Sequence, residues 1–159
     1  MKISVFCTGG LRERYWSDAS NEYVKRIKRF SNIEIQEFKE EICETYFSEA
    51  MIQKVKEKES AKLMDKLKNG DFCIAMDPGG KQLSSVKFAG KISELLSEGK
   101  SNIVFLIGGS FGLSEECLKK ADFTISMSEM TFPHQMARVI LLEQIYRAFK
   151  INAGEVYHK

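Results

Sequence analysis

His134 and His158 are the only two histidines in the chain, and histidine is the side chain that exchanges protons most readily near neutral pH. His134 opens the run "PHQMAR", at the start of a strongly apolar segment. It can serve as a general acid or base there, or as a hydrogen-bonded structural residue. Four residues on, Arg138 has no acidic residue at i±4, so a ligand or a partner chain is the expected counterpart of its guanidinium. Glu143 and Arg147 are four apart and expected to pair with each other. The closing "YHK" sets Tyr157, His158 and Lys159 side by side, a stacking ring beside phosphate donors, as single-stranded RNA sites require. Neither histidine lies at metal-ligand spacing from a cysteine or from the other, so no metal site is expected.

Three glycine pairs add a second kind of chemistry: "CTGGL", "DPGGKQ" and "VFLIGGSFGL", each after an apolar run. Glycine lets a backbone approach a ligand closely. A phosphate loop of the form G-x-x-x-x-G-K-[ST] fails twice around Gly80-Lys81, with Ala75 in place of its first glycine and Gln82 in place of its hydroxyl. A dinucleotide fingerprint on the last loop fails at Ile107, and only Glu129, about twenty residues further on, speaks for it. "DPGG" alone reads as a tight turn, with proline setting one corner and a positive-φ glycine the next. "GGSFG" holds more glycine than a turn needs.

These residues need elements to place them. Apolar runs alternate with helical periods: "ISVFCT" then Tyr15 to Phe30, "IEIQEF" then Ser48 to Lys68, "FCIAMD" then Ser84 to Ser97, "IVFLIG" then a short helix at Ser114 to Lys120, and "FTISM" then Pro133 to Ile151. Such alternation predicts an α/β fold, a mostly parallel sheet with helices on both faces. Open sheets of that kind bind ligands beyond the carboxyl ends of their strands, where the glycine pairs fall. Thr131 or Phe132 is expected to cap the last helix, with Pro133 in its first turn. That helix is apolar over more than half its circumference and is expected to bury itself against the sheet and a second subunit.

The chain has 159 residues, 43% of them hydrophobic, enough for one domain over 1–159. Its 24 basic and 22 acidic residues leave a formal charge of +2, so any nucleic-acid footprint must be local. Cys7, Cys43, Cys73 and Cys117 lack a C-x-x-C pairing and read as reduced thiols of a cytoplasmic protein. No apolar run is long enough for a membrane span, and the apolar stretch in the opening "MKISVFCTGG" is too short for a signal segment, so a soluble protein that stays where it is made is expected.

"MKISVFCTGGLRERYW", "DPGGKQLSS", "VFLIGGSFGL", "SMSEMTFPHQMARVILLEQIYRAFKI" and "YHK" together resemble the bacterial 23S ribosomal RNA (pseudouridine-N3)-methyltransferases of the SPOUT class, from end to end. The resemblance implies a C-terminal trefoil knot, one of the rare exceptions to unknotted chains. It also implies a homodimer, S-adenosyl-L-methionine as cofactor, and a pseudouridine of 23S rRNA in the assembled ribosome as target. The cofactor residues would be Met76, Gly108, Met127, Ser128, Glu129, Met130, Thr131 and Phe132. His134, His158 and solvent become candidates for accepting the N3 proton, Tyr157 belongs to the RNA-facing tail, and Arg138 would position the target or stabilise its anion. Two other readings stand beside it: a Rossmann-like nucleotide enzyme, and a ribosome-binding module without catalysis.

Overall fold

The computed structural model describes residues 1–42 and 48–157. The apolar runs form strands β1 (Lys2–Thr8), β2 (Asn32–Phe38), β3 (Phe72–Gln82), β4 (Asn102–Ile107) and β5 (Phe123–Ser126). Between and after them lie α1 (Arg14–Ile27), α2 (Glu49–Met64), α3 (Ser85–Ser97), α4 (Glu115–Lys120) and α5 (His134–Asn152). Serine begins three of the helices: Ser48, Ser84 and Ser114 each accept a backbone N–H three residues on, meeting one of the donors a helix start leaves open. α5 departs from expectation. Its cap is Pro133, with no side-chain hydrogen bond, and the helix starts at His134, so neither Thr131 nor Phe132 caps it.

All strand pairs are parallel, in the order β2-β1-β4-β3-β5. Alternate residues of each strand serve opposite faces. Val5, Ile74, Ile103 and Phe105 pack against α1, α3 and α5 in the larger core. Phe6, Ala75, Val104 and Leu106 pack against Leu63 of α2 and Cys117 of α4 in the smaller one. Helices thus cover both faces, as the alternation predicts. The order differs from the flavodoxin arrangement by an exchange of β3 and β4, and from the doubly wound dinucleotide arrangement in that β3 lies between β4 and β5 and not outside β2.

Two features place the carboxyl-end loops. β3 runs on through the "DPGG" stretch: Met76 and Lys81 both align with Ile125 of β5, and the residues between bulge outward. Neither Gly79 nor Gly80 has positive φ, so the expected tight turn is absent. Gly80 is needed for another reason, since a Cβ there would lie 2.7 Å from the Ile125 carbonyl carbon. The second feature is the crossing of residues 127–133. β5 lies at the sheet edge beside β3, yet Arg138 reaches Gly9 and Glu37 at the ends of β1 and β2. The chain therefore crosses the ends of β3 and β4, about three strand spacings of roughly 4.8 Å each.

Burial governs the titrating groups of the core. Cys7, Cys73 and Cys117 are free and buried. Desolvation pushes their thiols up to about 12, about 12 and about 11, for Cys7 against the pull of nearby Arg138. A thiol reagent at pH 8 is expected to leave these three unmodified in the native protein and to label them after denaturation. Peptide mapping checks this; native labelling at any of the three contradicts it.

Glu59 of α2 is 4% exposed. Burial and the charges of Glu40 and Glu41 raise its carboxyl, while the backbone N–H of Glu41 and the charge of Lys62 oppose the rise. A carboxyl raised on folding stabilises fully below its unfolded pKa, about 4.3, and loses that contribution as pH climbs through the folded value. Urea titrations should show wild type losing stability relative to Glu59→Gln over that interval. Parallel pH curves would contradict the assignment.

Candidate functional site

Three loops at the carboxyl ends of β3, β4 and β5, with the first turn of α5, enclose a cavity of about 650 Å³, within the usual range for a small-molecule site. Its walls include Met76, Asp77, Gly108, Phe111, Met127 and Phe132. The β4 loop is drawn tight by a turn in which Gly112 N–H donates to Gly109 O at 3.0 Å, with Gly112 at φ +82°. Gly108 lies so close to that turn that a Cβ would stand 2.5 Å from the Gly112 carbonyl carbon. The β5 loop is set by its serines: Ser126 Oγ donates to Ser128 O at 2.9 Å, and Ser128 Oγ accepts from Met130 N at 3.0 Å.

Of the cofactor residues expected from the resemblance, Met76, Gly108, Met127, Ser128, Met130, Thr131 and Phe132 all line this cavity. Glu129 belongs to the same loop but does not line it. Among the described residues the lining contains no lysine or arginine, and its one carboxylate is Asp77, which holds Gly79 N–H at 2.9 Å. Such a lining offers a polyphosphate no cationic side chain from the described residues. It suits an uncharged nucleoside carrying a compact cation, held by backbone groups and apolar walls.

His134 stands at the cavity edge, its Nε2 4.0 Å from Glu40 Oε1. Glu40 pairs with Arg12 at 3.2 Å, and Gln135 Oε1 accepts Arg12 N–H at 3.0 Å. Gly9, at φ +87°, makes room for this meeting, because a Cβ there would be 2.9 Å from Glu40 Oε1 and 3.0 Å from His134 Nε2. Nothing in the sequence pattern singled out Glu40, which lies 94 positions before His134 (134 − 40).

Arg138 requires a correction. It is 1% exposed, and its partners lie within the same chain: Nη1 donates to Glu37, and Nη2 to Gly9 O at 2.7 Å. Neither a ligand nor a second chain is needed to neutralise it. A smaller polar pocket of about 390 Å³ lies between Arg138, Glu37 and the α1 residues Ser17, Ser20 and Asn21.

Tyr157 is not brought to the cavity of its own chain. Its hydroxyl lies 3.2 Å from Glu143 Oε1, its ring meets Tyr146 edge-on, and the Arg147 guanidinium sits 4.6 Å from its centroid. Burial and the Glu143 charge push its hydroxyl up to about 12. Glu143 lies about 14 Å along α5 from His134, at about 1.5 Å per residue. The expected Glu143–Arg147 pair is present at 2.6 Å. His158 and Cys43 lie outside the described residues. Among the described residues, no three or more histidines, cysteines or acidic groups are placed to hold a metal, and no helix is long and apolar enough to cross a membrane.

The family model described as "Predicted SPOUT methyltransferase" matches residues 1–158. The ribosomal RNA large subunit methyltransferase H of Clostridium novyi is 48% identical over 159 residues, and that of Ruminiclostridium cellulolyticum 45%, each alignment covering 100% of both chains. Among solved structures, a probable methylase family protein of Haemophilus influenzae superposes with TM-score 0.53 at 12% identity, covering 99% of this chain and 70% of its own. A methyltransferase of Legionella pneumophila, solved with bound cofactor SAM, superposes with TM-score 0.52 at 11% identity, covering 93% of this chain and 66% of its own. These two likenesses concern the fold alone. The full-length matches go further: the chain belongs to the SPOUT methyltransferase family, together with the ribosomal RNA large subunit methyltransferases H.

Proposed function

We propose that this protein is an S-adenosyl-L-methionine-dependent methyltransferase of large-subunit ribosomal RNA, acting on N3 of a pseudouridine in 23S rRNA on the assembled ribosome. The observation that carries the reading is the cavity itself. It is large enough for a nucleoside, free of lysine and arginine among the described residues, and built on a glycine cradle that a Cβ at Gly108 would fill. When bound, S-adenosyl-L-methionine supplies a methyl group activated on a positively charged sulfur.

Met76, Gly108 and residues 127–132 would hold that cofactor, with Glu129 kept to the outer side of its loop. The apolar wall of Ile107, Ile125, Met127 and Phe132 excludes water, and the loops fix orientation, the two contributions a direct displacement needs most. His134, at the cavity edge beside Glu40, would accept the proton that N3 must lose. Residues 127–133, crossing the sheet ends, are read as the knotted part of the fold.

A homodimer is proposed through α5. Met136, Val139 and Ile140 remain only partly covered on a helix that is apolar over more than half its circumference. A chain with formal charge +2 gains from a composite surface for holding RNA. One functional unit over 1–159 and a cytoplasmic location complete the reading.

Calorimetry tests the cofactor: binding of S-adenosylmethionine without response to NAD or ATP is expected, and no binding of the methyl donor overturns the proposal. Tritiated methyl incorporation into undermodified ribosomes tests the reaction, and incorporation no higher than a boiled control would leave only a binding role. Deleting residues 157–159 is expected to preserve cofactor affinity, since Tyr157 packs away from the cavity of its chain, while methylation is lost. Unchanged turnover in that variant would remove the tail from the substrate site.

A further inference from the structure

Among the described residues, Glu59 is the one buried carboxylate side chain, and the proposed reaction does not use it. It takes a core-facing position on α2 beside Ser60 and Leu63, both 0% exposed. Its two oxygens face different parts of the site. Oε1 accepts the backbone N–H of Glu41 at 2.9 Å. Among the described residues Oε2 has no hydrogen-bond partner, and neither has the buried Thr8 Oγ1. Both side chains press on the glycine loop: a Cβ on Gly109 would lie 2.6 Å from Glu59 Oε2 and 3.1 Å from Thr8 Cγ2. Buried polar atoms are seldom left unpaired, and such exceptions call for a functional or structural reason.

The segment that Glu59 grips is the one that carries Glu40 to His134. Lys62 Nζ, one turn further along α2, donates to Lys39 O at 3.0 Å and pairs with Glu41 at 2.6 Å. Residues 39 and 41 are thereby tied to α2, and Glu40 between them is turned to Arg12, Gly9 and His134. The charged groups facing Glu59 are Glu40 and Glu41 from this segment and Lys62 from its own helix, while β1 contributes Thr8 and the glycine loop Gly109.

We propose that Glu59 is a positioning residue for methyl transfer. One oxygen holds the segment that presents Glu40 to His134, and the other backs the glycine loop of the cofactor cavity. The depth at which Gly109 sits then sets the place of Glu40 at the cavity edge. The inference rests on the reading of that cavity as the methyl-donor site.

The test uses the full-length protein, with S-adenosylmethionine affinity by calorimetry and kcat and KM on undermodified ribosomes. Glu59→Ala is expected to lower kcat by about tenfold or more with little change in KM for ribosomes, since an ångström of misplacement can cost about a hundredfold. Glu59→Gln is expected to restore kcat to within about threefold, because its amide offers the same acceptor to Glu41 and the same volume. Gly109→Ala should lose activity by clashing with the carboxylate, and the Glu59→Ala/Gly109→Ala pair should be no worse than either single change, a coupling that independent structural damage does not produce. Adding Glu40→Ala to Glu59→Ala should cost little more.

Wild-type kcat in Glu59→Ala, or additive losses in the double variants, overturns the inference. So does a Gln variant as impaired as Ala. Should Glu59→Ala fail to fold, the Gln variant and the Glu59→Gln/Gly109→Ala pair, compared by the same measurements, decide it. Failure of the wild-type protein itself to bind S-adenosylmethionine would instead refute the underlying reading of the cavity.

Discussion

Gly108→Ala is expected to weaken S-adenosylmethionine binding by about tenfold or more while leaving the chain folded. The added Cβ would lie 2.5 Å from the Gly112 carbonyl carbon, 2.8 Å from its oxygen and 2.8 Å from Leu113 N. All three are backbone atoms, so no rotamer change relieves the contact. The turn from Gly109 to Gly112 cannot simply move away, because Leu113 behind it is 1% exposed in the smaller core and Ser114 N–H is held by Ser60 Oγ at 2.8 Å. Strain of this kind costs about 1–3 kcal/mol, and opening the turn into the cavity is the least obstructed relief. A tenfold or greater loss of affinity corresponds to about 1.4 kcal/mol or more. Gly90→Ala is the control: that glycine is on α3, has ordinary φ and meets nothing within 4 Å, so about 0.5–1 kcal/mol of stabilisation is expected. Calorimetry and thermal melting separate the two; a Gly108→Ala protein binding within about twofold of wild type, under 0.5 kcal/mol, would show that the loop does not shape the ligand site.

What the sequence displayed well were features whose cause is local. Strand runs such as "IVFLIG" are apolar throughout because both sheet faces are covered, and serine caps at 48, 84 and 114 declare themselves by type and place. What escaped was decided by distant chain. The "DPGG" stretch looks like a positive-φ turn by its residues, but pairing of both Met76 and Lys81 with Ile125 of β5 makes it a bulge within β3 instead. Arg138 seemed free because only helix neighbours are visible at i±4, whereas Glu37 lies 101 residues away in sequence. Glu40 and Glu59 resemble any other residues of a charged linker and a charged helix until the fold brings one to His134 and the other under Gly109. The cofactor residues themselves were legible only through the family resemblance, since no spacing rule connects Met76, Gly108 and Met127.

Arg138→Met should show whether that guanidinium serves the fold or the substrate. In the structure it joins Gly9 O at the end of β1 to Glu37 in β2, and it begins the second turn of α5, immediately after Ala137 in the cavity wall. Breaking a fully buried ion pair by removing one partner costs about 3–5 kcal/mol. Glu37 is 48% exposed and regains water once released, so a smaller loss of about 2 kcal/mol is the sounder expectation. Methionine keeps most of the stem's packing, which isolates the polar part of the loss from a cavity term. For a domain of this size about 2 kcal/mol lowers Tm by roughly 4–8 °C. Methylation is expected to fall as well, because Gly9 is the residue around which Glu40 and His134 meet, and its carbonyl would have lost its donor. Glu37→Gln, which keeps an acceptor for Nη1, should be milder in both respects. Loss of methylation with an unchanged melting temperature would overturn this account and return Arg138 to the role of a group that contacts RNA directly.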